Sequence, residues 1–151
     1  DKAPADLRNQ LGIAVAEQTY ASYRVQLDSP RWQRIFNAGA RAQRLLFAST
    51  GTKDPKAPDT LYIHALAAPF TVNTIPEKTL LALADHGEIG PAIPMDGGDC
   101  EAVLAKFAKA GIDVVALTAQ LQDEGAKSFV KSWHELLAVL ETKSNALKRA
   151  S

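Results

Sequence analysis

Two stretches decide the fold of this chain, LLFASTGTKDP (residues 45–55) and TVNTIP (residues 71–76). A short apolar run that breaks into Ser, Thr, Gly and Lys is typical of a buried strand that ends at a polar turn. The second stretch predicts a neighbouring strand that ends just before a Pro-initiated helix. The rest of the chain reads as helix and loop, so a functional site is expected at these two strands.

The sequence predicts helices around the two strands, most of them bounded by a capping residue, a Pro or a Gly. They cover residues 6–27 with Asp6 as cap, residues from Pro30 to near Gly39 with Ser29 as cap, a short helix from Asp59 through Leu66, residues 76–86 before Gly87, a helix from Asp99 to Gly111, and the chain from Asp113 to near its C-terminus with an interruption around Gly125. Residues 88–98 hold three Gly and two Pro and are expected to form a loop.

The order of these elements indicates an α/β protein with two parallel strands, residues 45–49 and 71–75. Two parallel strands with helical connections make a poorly covered sheet, because parallel sheets are normally buried on both faces. The pattern therefore fits the last two strand–helix units of a larger α/β barrel better than a self-contained domain. We expect the chain to be stable only beside the rest of such a barrel or in a homo-oligomer.

The charge balance, the lengths of the apolar runs and the single cysteine limit the kinds of partner and location that we expect. Lys plus Arg and Asp plus Glu are 17 each, so the net charge is zero and electrostatics give no reason to expect nucleic acid or an anionic membrane as partner. No apolar run approaches the roughly 20 residues that span a bilayer. The single cysteine, Cys100, excludes an internal disulfide and a thiolate metal cluster, and it fits a reducing, cytoplasmic location.

The turn after the first strand carries the chemistry of an anion site. Ser49 stands at the strand end, where parallel α/β barrels place their functional groups, and Lys53 follows four residues later. Gly51 allows backbone amides to approach an anion, hydroxyls donate to its oxygens, and the ammonium of Lys53 neutralises its charge. Phosphate is the natural guest. A polar turn with a solvated Lys is the plain alternative.

Other polar residues have simpler interpretations. Thr74 is expected to cap the helix that begins at Pro76, and Asn73 could line the mouth of the site. The three His residues show no metal-ligand spacing, and the run of residues 96–99 reads as a turn rather than a calcium loop, so no metal is expected. A Schiff-base Lys is activated by desolvation in an apolar site, and Lys53 in its polar loop does not fit that role.

Several blocks of the sequence together resemble the C-terminal part of a bacterial transaldolase of the long type, which is sometimes fused to glucose-6-phosphate isomerase. They occur in the family's order, from about Leu11 to Leu140. The blocks are LFASTGTKDP (46–55), DTLY (59–62), VNTIP (72–76), ADHG (84–87), DEGAKSF (123–129) and KSWHELL (131–137).

This resemblance implies an enzyme of the pentose phosphate pathway that folds as a (β/α)8 TIM barrel. Such an enzyme, a transferase, moves a dihydroxyacetone unit between sugar phosphates through a Lys Schiff base, with no metal or organic cofactor. Its substrates are sedoheptulose 7-phosphate, fructose 6-phosphate, erythrose 4-phosphate and glyceraldehyde 3-phosphate. The family's Lys-Ile-Pro-Ala-Thr block does not occur in these 151 residues. The resemblance thus implies that residues 1–151 are a single C-terminal segment, inactive alone, with the Schiff-base Lys upstream.

The same resemblance implies roles for two residues. Ser49 matches the family's phosphate-contacting Ser, and Lys53 stands where shorter transaldolases place an Arg. Two alternatives stay open at the level of sequence. One is a non-catalytic helical binding or scaffold module derived from a barrel enzyme, and the other is a different phosphosugar enzyme on the same barrel.

Overall fold

Two short parallel strands lie among helices in the computed structural model, which describes residues 3–150. The chain divides into two compact units, one that ends at Gly111 and one that begins at Ile112. In the first unit a 3₁₀ turn (Ala5–Leu7) precedes α1 (Leu11–Asp28), α2 (Pro30–Asn37), β1 (Leu45–Phe47), α3 (Leu61–Ala65), β2 (Thr71–Asn73), α4 (Glu77–His86) and α5 (Cys100–Lys109). The second unit contains α6 (Val114–Ala150).

The two strands pair in parallel, as predicted, with Leu45 opposite Thr71 and Phe47 opposite Asn73. Each strand is three residues long, shorter than the expected five. The sheet has two faces of different character, since side chains alternate along a strand. Phe47 is buried, whereas Leu46 and Val72 on the opposite face are 50% and 37% exposed.

A compact apolar cluster holds β1 against the helices of the first unit. Its buried members are Tyr20 of α1, Phe47 of β1, Leu66 at the end of α3, and Ile93 in the loop after α4. Helix α1 also packs on α5, whose buried residues are Cys100, Val103 and Phe107. This packing gives the C-terminal end of β1 a fixed position beside the start of α1.

Residues with unusual backbone conformations or capping side chains set the ends of the first helices. The predicted helix 6–27 is split, because Asn9 adopts a left-handed conformation with φ 62° between the 3₁₀ turn and α1. Asp6 therefore lies in the turn and does not cap α1. The Ser29 cap of α2 is confirmed: its side chain accepts a hydrogen bond from the Trp32 amide at 3.2 Å, and Pro30 occupies the first turn. Helix α2 ends before Gly39, which has φ 96°.

Three further predicted caps are wrong. The Thr74 hydroxyl donates to the Phe47 carbonyl at 3.4 Å instead of capping α4, which begins after Pro76 without a side-chain cap. Asp59 does not cap α3, whose preceding residue is Thr60, because its carboxylate contacts His86. Asp99 occupies the cap position of α5, but its ψ of 12° is not the extended conformation of a capping residue and its side chain makes no cap hydrogen bond.

The second unit differs from expectation at Gly125, where the predicted interruption is wrong. Helix α6 runs continuously through this residue, because strong helix formers on both sides outweigh the cost of one Gly, about 1 kcal/mol. Many large apolar side chains of α6 are exposed, among them Phe129 at 81% and Trp133 at 59%. Among the described residues, no helix has the length and apolar character needed to cross a membrane.

Candidate functional site

An open cleft of about 480 Å³ lies at the C-terminal end of β1. Three parts of the first unit form it: the start of α1, the turn that follows β1, and α3. The lining residues are Asn9, Gly12, Ala16, Leu46, Phe47, Ala48, Ser49, Thr50, Gly51, Thr52, Lys53, Asp54, Tyr62 and Leu66. The structure thus brings both predicted site residues, Ser49 and Lys53, to one cleft.

Ser49 has a backbone conformation that L-residues rarely adopt. Its φ is 59°, in the left-handed region, and its side chain is exposed. Within the described part of the chain, its hydroxyl makes no hydrogen bond. Such a conformation costs about 1–3 kcal/mol and persists only where the surroundings over-determine it. The strain therefore indicates that the neighbouring structure holds this turn.

Contacts from the segment between β2 and α4 fix the first half of the turn. The Phe47 carbonyl accepts hydrogen bonds from the amide and the hydroxyl of Thr74, at 3.0 and 3.4 Å. Two residues after Ser49, Gly51 lies so close to α4 that a Cβ there would meet Pro76 Cγ at 3.3 Å. A side chain at this position would require Pro76 to shift by a few tenths of an ångström, so the Gly allows the turn to pack closely against the start of α4.

A buried hydrogen bond joins the turn to β2. Thr50 is only 3% exposed, and its hydroxyl donates to Asn73 Oδ1 at 2.6 Å. Burial of an unpaired hydroxyl would be costly, and this short bond satisfies it. Asn73 is not among the residues that line the cleft, a place that the sequence left possible for it, and it instead holds the turn through this bond.

The second half of the turn is fixed by contacts around Asp54. Its carboxylate accepts hydrogen bonds from Asn9 Nδ2 at 3.0 Å and from the Lys56 amide at 2.9 Å. The hydrogen bond from Asn9, followed by that from the Lys56 amide, lowers the pKa of Asp54. Thr52 donates to the Pro58 carbonyl at 3.0 Å. These hydrogen bonds fix the backbone of the second half of the turn beside the cleft.

Lys53 is exposed at the cleft. Among residues 3–149, no carboxylate forms an ion pair with its ammonium. Its charge is therefore available to an anion in the cleft. The ammonium of Lys53, the hydroxyl of Ser49 and the backbone amides of the turn together offer donors and one positive charge.

The loop is also connected to α4 through a histidine. His86 contacts Asp85 through Nδ1 and Asp59 through Nε2, each at 3.1 Å. The hydrogen bonds that His86 donates to Asp85 and then to Asp59 raise the pKa of His86, and the bond from His86 lowers the pKa of Asp59. All three side chains are largely exposed.

The groups that line the cleft suit an anion, whereas the described residues offer little for proton transfer or metal binding. Its lining contains Asp54 as its only carboxylate among the described residues, and that group is occupied by two hydrogen bonds. No group of three or more His, Cys, Asp and Glu placed to hold a metal ion occurs in the described range. The arrangement supports recognition of a phosphate-like group.

Sequence reasoning missed Asn9 and Tyr62 as parts of the site. Asn9 is 45 residues from its partner Asp54, and only tertiary packing brings them together. Tyr62 lies in the DTLY block, but nothing in its spacing indicates the cleft; in the structure its hydroxyl is 3.4 Å from the Cβ that a side chain at Gly12 would carry. Asn readily adopts the left-handed conformation, which could have predicted the break before α1 but not the contact with Asp54.

Comparison with known proteins gives one consistent answer. The family model described as transaldolase/fructose-6-phosphate aldolase matches residues 1–140. A transaldolase of Mycolicibacterium smegmatis is 45% identical over 144 residues, which cover 95% of this chain and 39% of that protein. Transaldolases of Mycobacterium tuberculosis and Parafrankia sp. are 48% and 47% identical, and each alignment covers 87% of this chain and 36% of the relative. The chain therefore spans less than two fifths of the length of these relatives.

Proposed function

This chain belongs to the transaldolase/fructose-6-phosphate aldolase family, and on that premise we propose that it is the C-terminal part of a transaldolase. The complete enzyme transfers a dihydroxyacetone unit between sugar phosphates in the cytoplasm through a Schiff-base Lys that lies outside these 151 residues. This segment contributes the last two strand–helix units of a TIM barrel and binds the phosphate of the substrate. The observation that carries the proposal is the shared cleft of Ser49 and Lys53 at the C-terminal end of a parallel strand.

The two strands support the proposal that a larger barrel surrounds this unit. Within the described residues the sheet has only β1 and β2, so one edge of each strand carries no strand partner. Leu46 and Val72 lie exposed on the same face of this sheet. Unpaired edges and exposed apolar faces favour association, and further strands of a barrel would cover both.

The chemistry of the cleft supports a binding role. Ser49 offers a hydroxyl donor and Lys53 an unpaired ammonium, and both suit a phosphate dianion. A nucleophilic Lys is desolvated in an apolar site, whereas Lys53 is exposed in a polar loop. We therefore assign Lys53 to charge neutralisation and Ser49 to hydrogen bonding, and neither to carbon–carbon bond chemistry.

Complementation with the rest of the enzyme tests whether the nucleophile lies outside these 151 residues. The 151-residue chain alone should show no transfer between sedoheptulose 7-phosphate and glyceraldehyde 3-phosphate. Addition of the N-terminal part of the Mycolicibacterium smegmatis relative should restore activity. Val72→Glu places a charge on the exposed strand face, outside the cleft lining, and should block this rescue, whereas Val25→Glu, at a helix position that is 71% exposed, is its matched control. Turnover by residues 1–151 alone would refute the proposed position of the nucleophile.

Phosphate titration tests the binding role. Amide shifts of residues 49–53 should respond to inorganic phosphate and to arabinose 5-phosphate. Loss of one favourable charge contact near the protein surface, worth between about 1 and 4 kcal/mol at 4 Å, should raise the dissociation constant of Lys53→Met at least about fivefold. Lys56→Met removes the same charge from an exposed residue outside the cleft lining and should bind like the unchanged chain. Absence of any response would instead favour a non-catalytic binding or scaffold module.

A further inference from the structure

We propose that Thr50 and Asn73 are positioning residues of the turn after β1, residues 48–54, which lines the proposed phosphate cleft. Their hydrogen bond keeps Ser49 in its left-handed conformation and so holds the Ser49 hydroxyl at the cleft. The inference rests on the proposed phosphate role of Ser49 and adds two residues that make no contact with the phosphate through their side chains.

Burial sets Thr50 apart from the rest of the turn. In the described part of the chain only Thr50 and Thr79 are polar and buried, and Thr50 is 3% exposed next to the exposed Ser49. Its hydroxyl points to Asn73 Oδ1 at 2.6 Å, a short bond for a neutral pair. The turn is therefore anchored at the residue directly after Ser49.

A second anchor lies two residues before Ser49. The Phe47 carbonyl accepts hydrogen bonds from the Thr74 amide and hydroxyl, so two consecutive residues, Asn73 at the end of β2 and Thr74 directly after it, hold the chain on both sides of Ser49. The left-handed conformation of Ser49 is unfavourable by itself and needs such restraint. Without the Thr50 bond, rotation of Ser49 to negative φ becomes possible and moves its hydroxyl.

A positioning role differs from simple satisfaction of a buried hydroxyl in a measurable way. Thr50→Val keeps the size of the side chain, removes the donor and leaves Asn73 Oδ1 without its partner. The double variant Thr50→Val/Asn73→Leu removes both polar groups, which relieves the unpaired acceptor and should recover stability. The double variant still lacks the restraint, so phosphate affinity should not recover with stability.

The experiment is a titration of the 151-residue chain with inorganic phosphate, followed by the amide shifts of residues 49–53, with urea unfolding of each variant in parallel. We expect Thr50→Val and the double variant to bind about tenfold more weakly, which corresponds to about 1.4 kcal/mol. Thr50→Ser retains the hydroxyl and should recover most of the affinity.

The outcomes separate this inference from the proposed function. Binding by the double variant within about twofold of the unchanged chain would overturn the positioning role. The double variant also decides the matter if Thr50→Val alone fails to fold. If the unchanged chain does not respond to phosphate, the proposed phosphate role itself fails, and that result is distinct because it precedes any substitution.

Discussion

Replacement of Ser49 by Gly should stabilise the first unit while it removes a side chain from the cleft. Ser49 has φ 59° and makes no side-chain hydrogen bond within the described residues, so Gly relieves backbone strain and breaks no bond. The strain of a non-Gly residue in this region is about 1–3 kcal/mol. Gly also increases the entropy of the unfolded chain, which costs about 0.4–1 kcal/mol. The expected net gain is therefore about 1 kcal/mol.

Ser49→Ala is the matched control for this prediction. Alanine keeps the Cβ that makes positive φ unfavourable and removes the same hydroxyl, so its stability should stay within about 0.5 kcal/mol of the unchanged chain. Both variants should bind phosphate more weakly. A difference in stability between Gly and Ala thus isolates the backbone.

The assay uses the two tryptophans of the chain, Trp32 in the first unit and Trp133 in the second. In a Trp133→Phe background, Trp32 fluorescence reports urea unfolding of the first unit alone. With an m-value of about 1–3 kcal/mol/M, the Gly variant should raise the urea midpoint by about 0.3–1 M relative to Ala, at unchanged m. A Gly variant no more stable than the Ala variant would refute the argument that Ser49 is strained.

Three further predictions concern the packing and charges that support the cleft, and the same fluorescence assay checks each of them. Asp85 and Asp59 raise the pKa of His86, so their stabilising effect is complete below pH 6.5 and is lost as the pH rises through the raised value. His86→Gln should remove this loss, and an unchanged profile of urea midpoint against pH would contradict the role of the two carboxylates. Phe107 is 2% exposed, so Phe107→Ala should cost about 3–5 kcal/mol of unfolding free energy, and a loss below about 1 kcal/mol would show that the site is not tightly packed. Ser29→Ala removes the cap of α2 and should cost about 1 kcal/mol, whereas Ser29→Asp should retain most of it.

The features that sequence predicted well are local in the chain. The Ser29-Pro30 pair carries both a capping side chain and the fixed φ of proline, so the start of α2 follows from two adjacent residues. The parallel strands followed from two apolar runs with polar ends, and the shared position of Ser49 and Lys53 followed from their place after the first run. These patterns need no knowledge of distant contacts.

The features that sequence did not predict depend on which of several possible hydrogen-bond partners a side chain reaches. Thr74 has the chemistry of a helix cap, but the Phe47 carbonyl across the sheet takes its hydroxyl. Asp59 likewise has a cap's chemistry, and His86 contacts its carboxylate. Ser49 and Thr50 are adjacent residues that both carry a hydroxyl, and only the fold makes the first exposed and the second buried. Sequence spacing does not decide which of several possible partners comes within reach.

The parallel pairing of β1 and β2 also affects the order in which parts of the chain fold. Leu45 and Thr71 meet only after a segment of roughly 25 residues has closed into a loop, and such closure carries an entropic cost before any strand contact repays it. Helices α1 and α2 depend on near neighbours and can form early, while the strand pair and the turn it restrains must wait for this closure. We therefore expect Ser49 to acquire its strained geometry after these helices form, and, if the turn binds phosphate as proposed, recovery of binding after dilution from urea should lag behind recovery of helical structure.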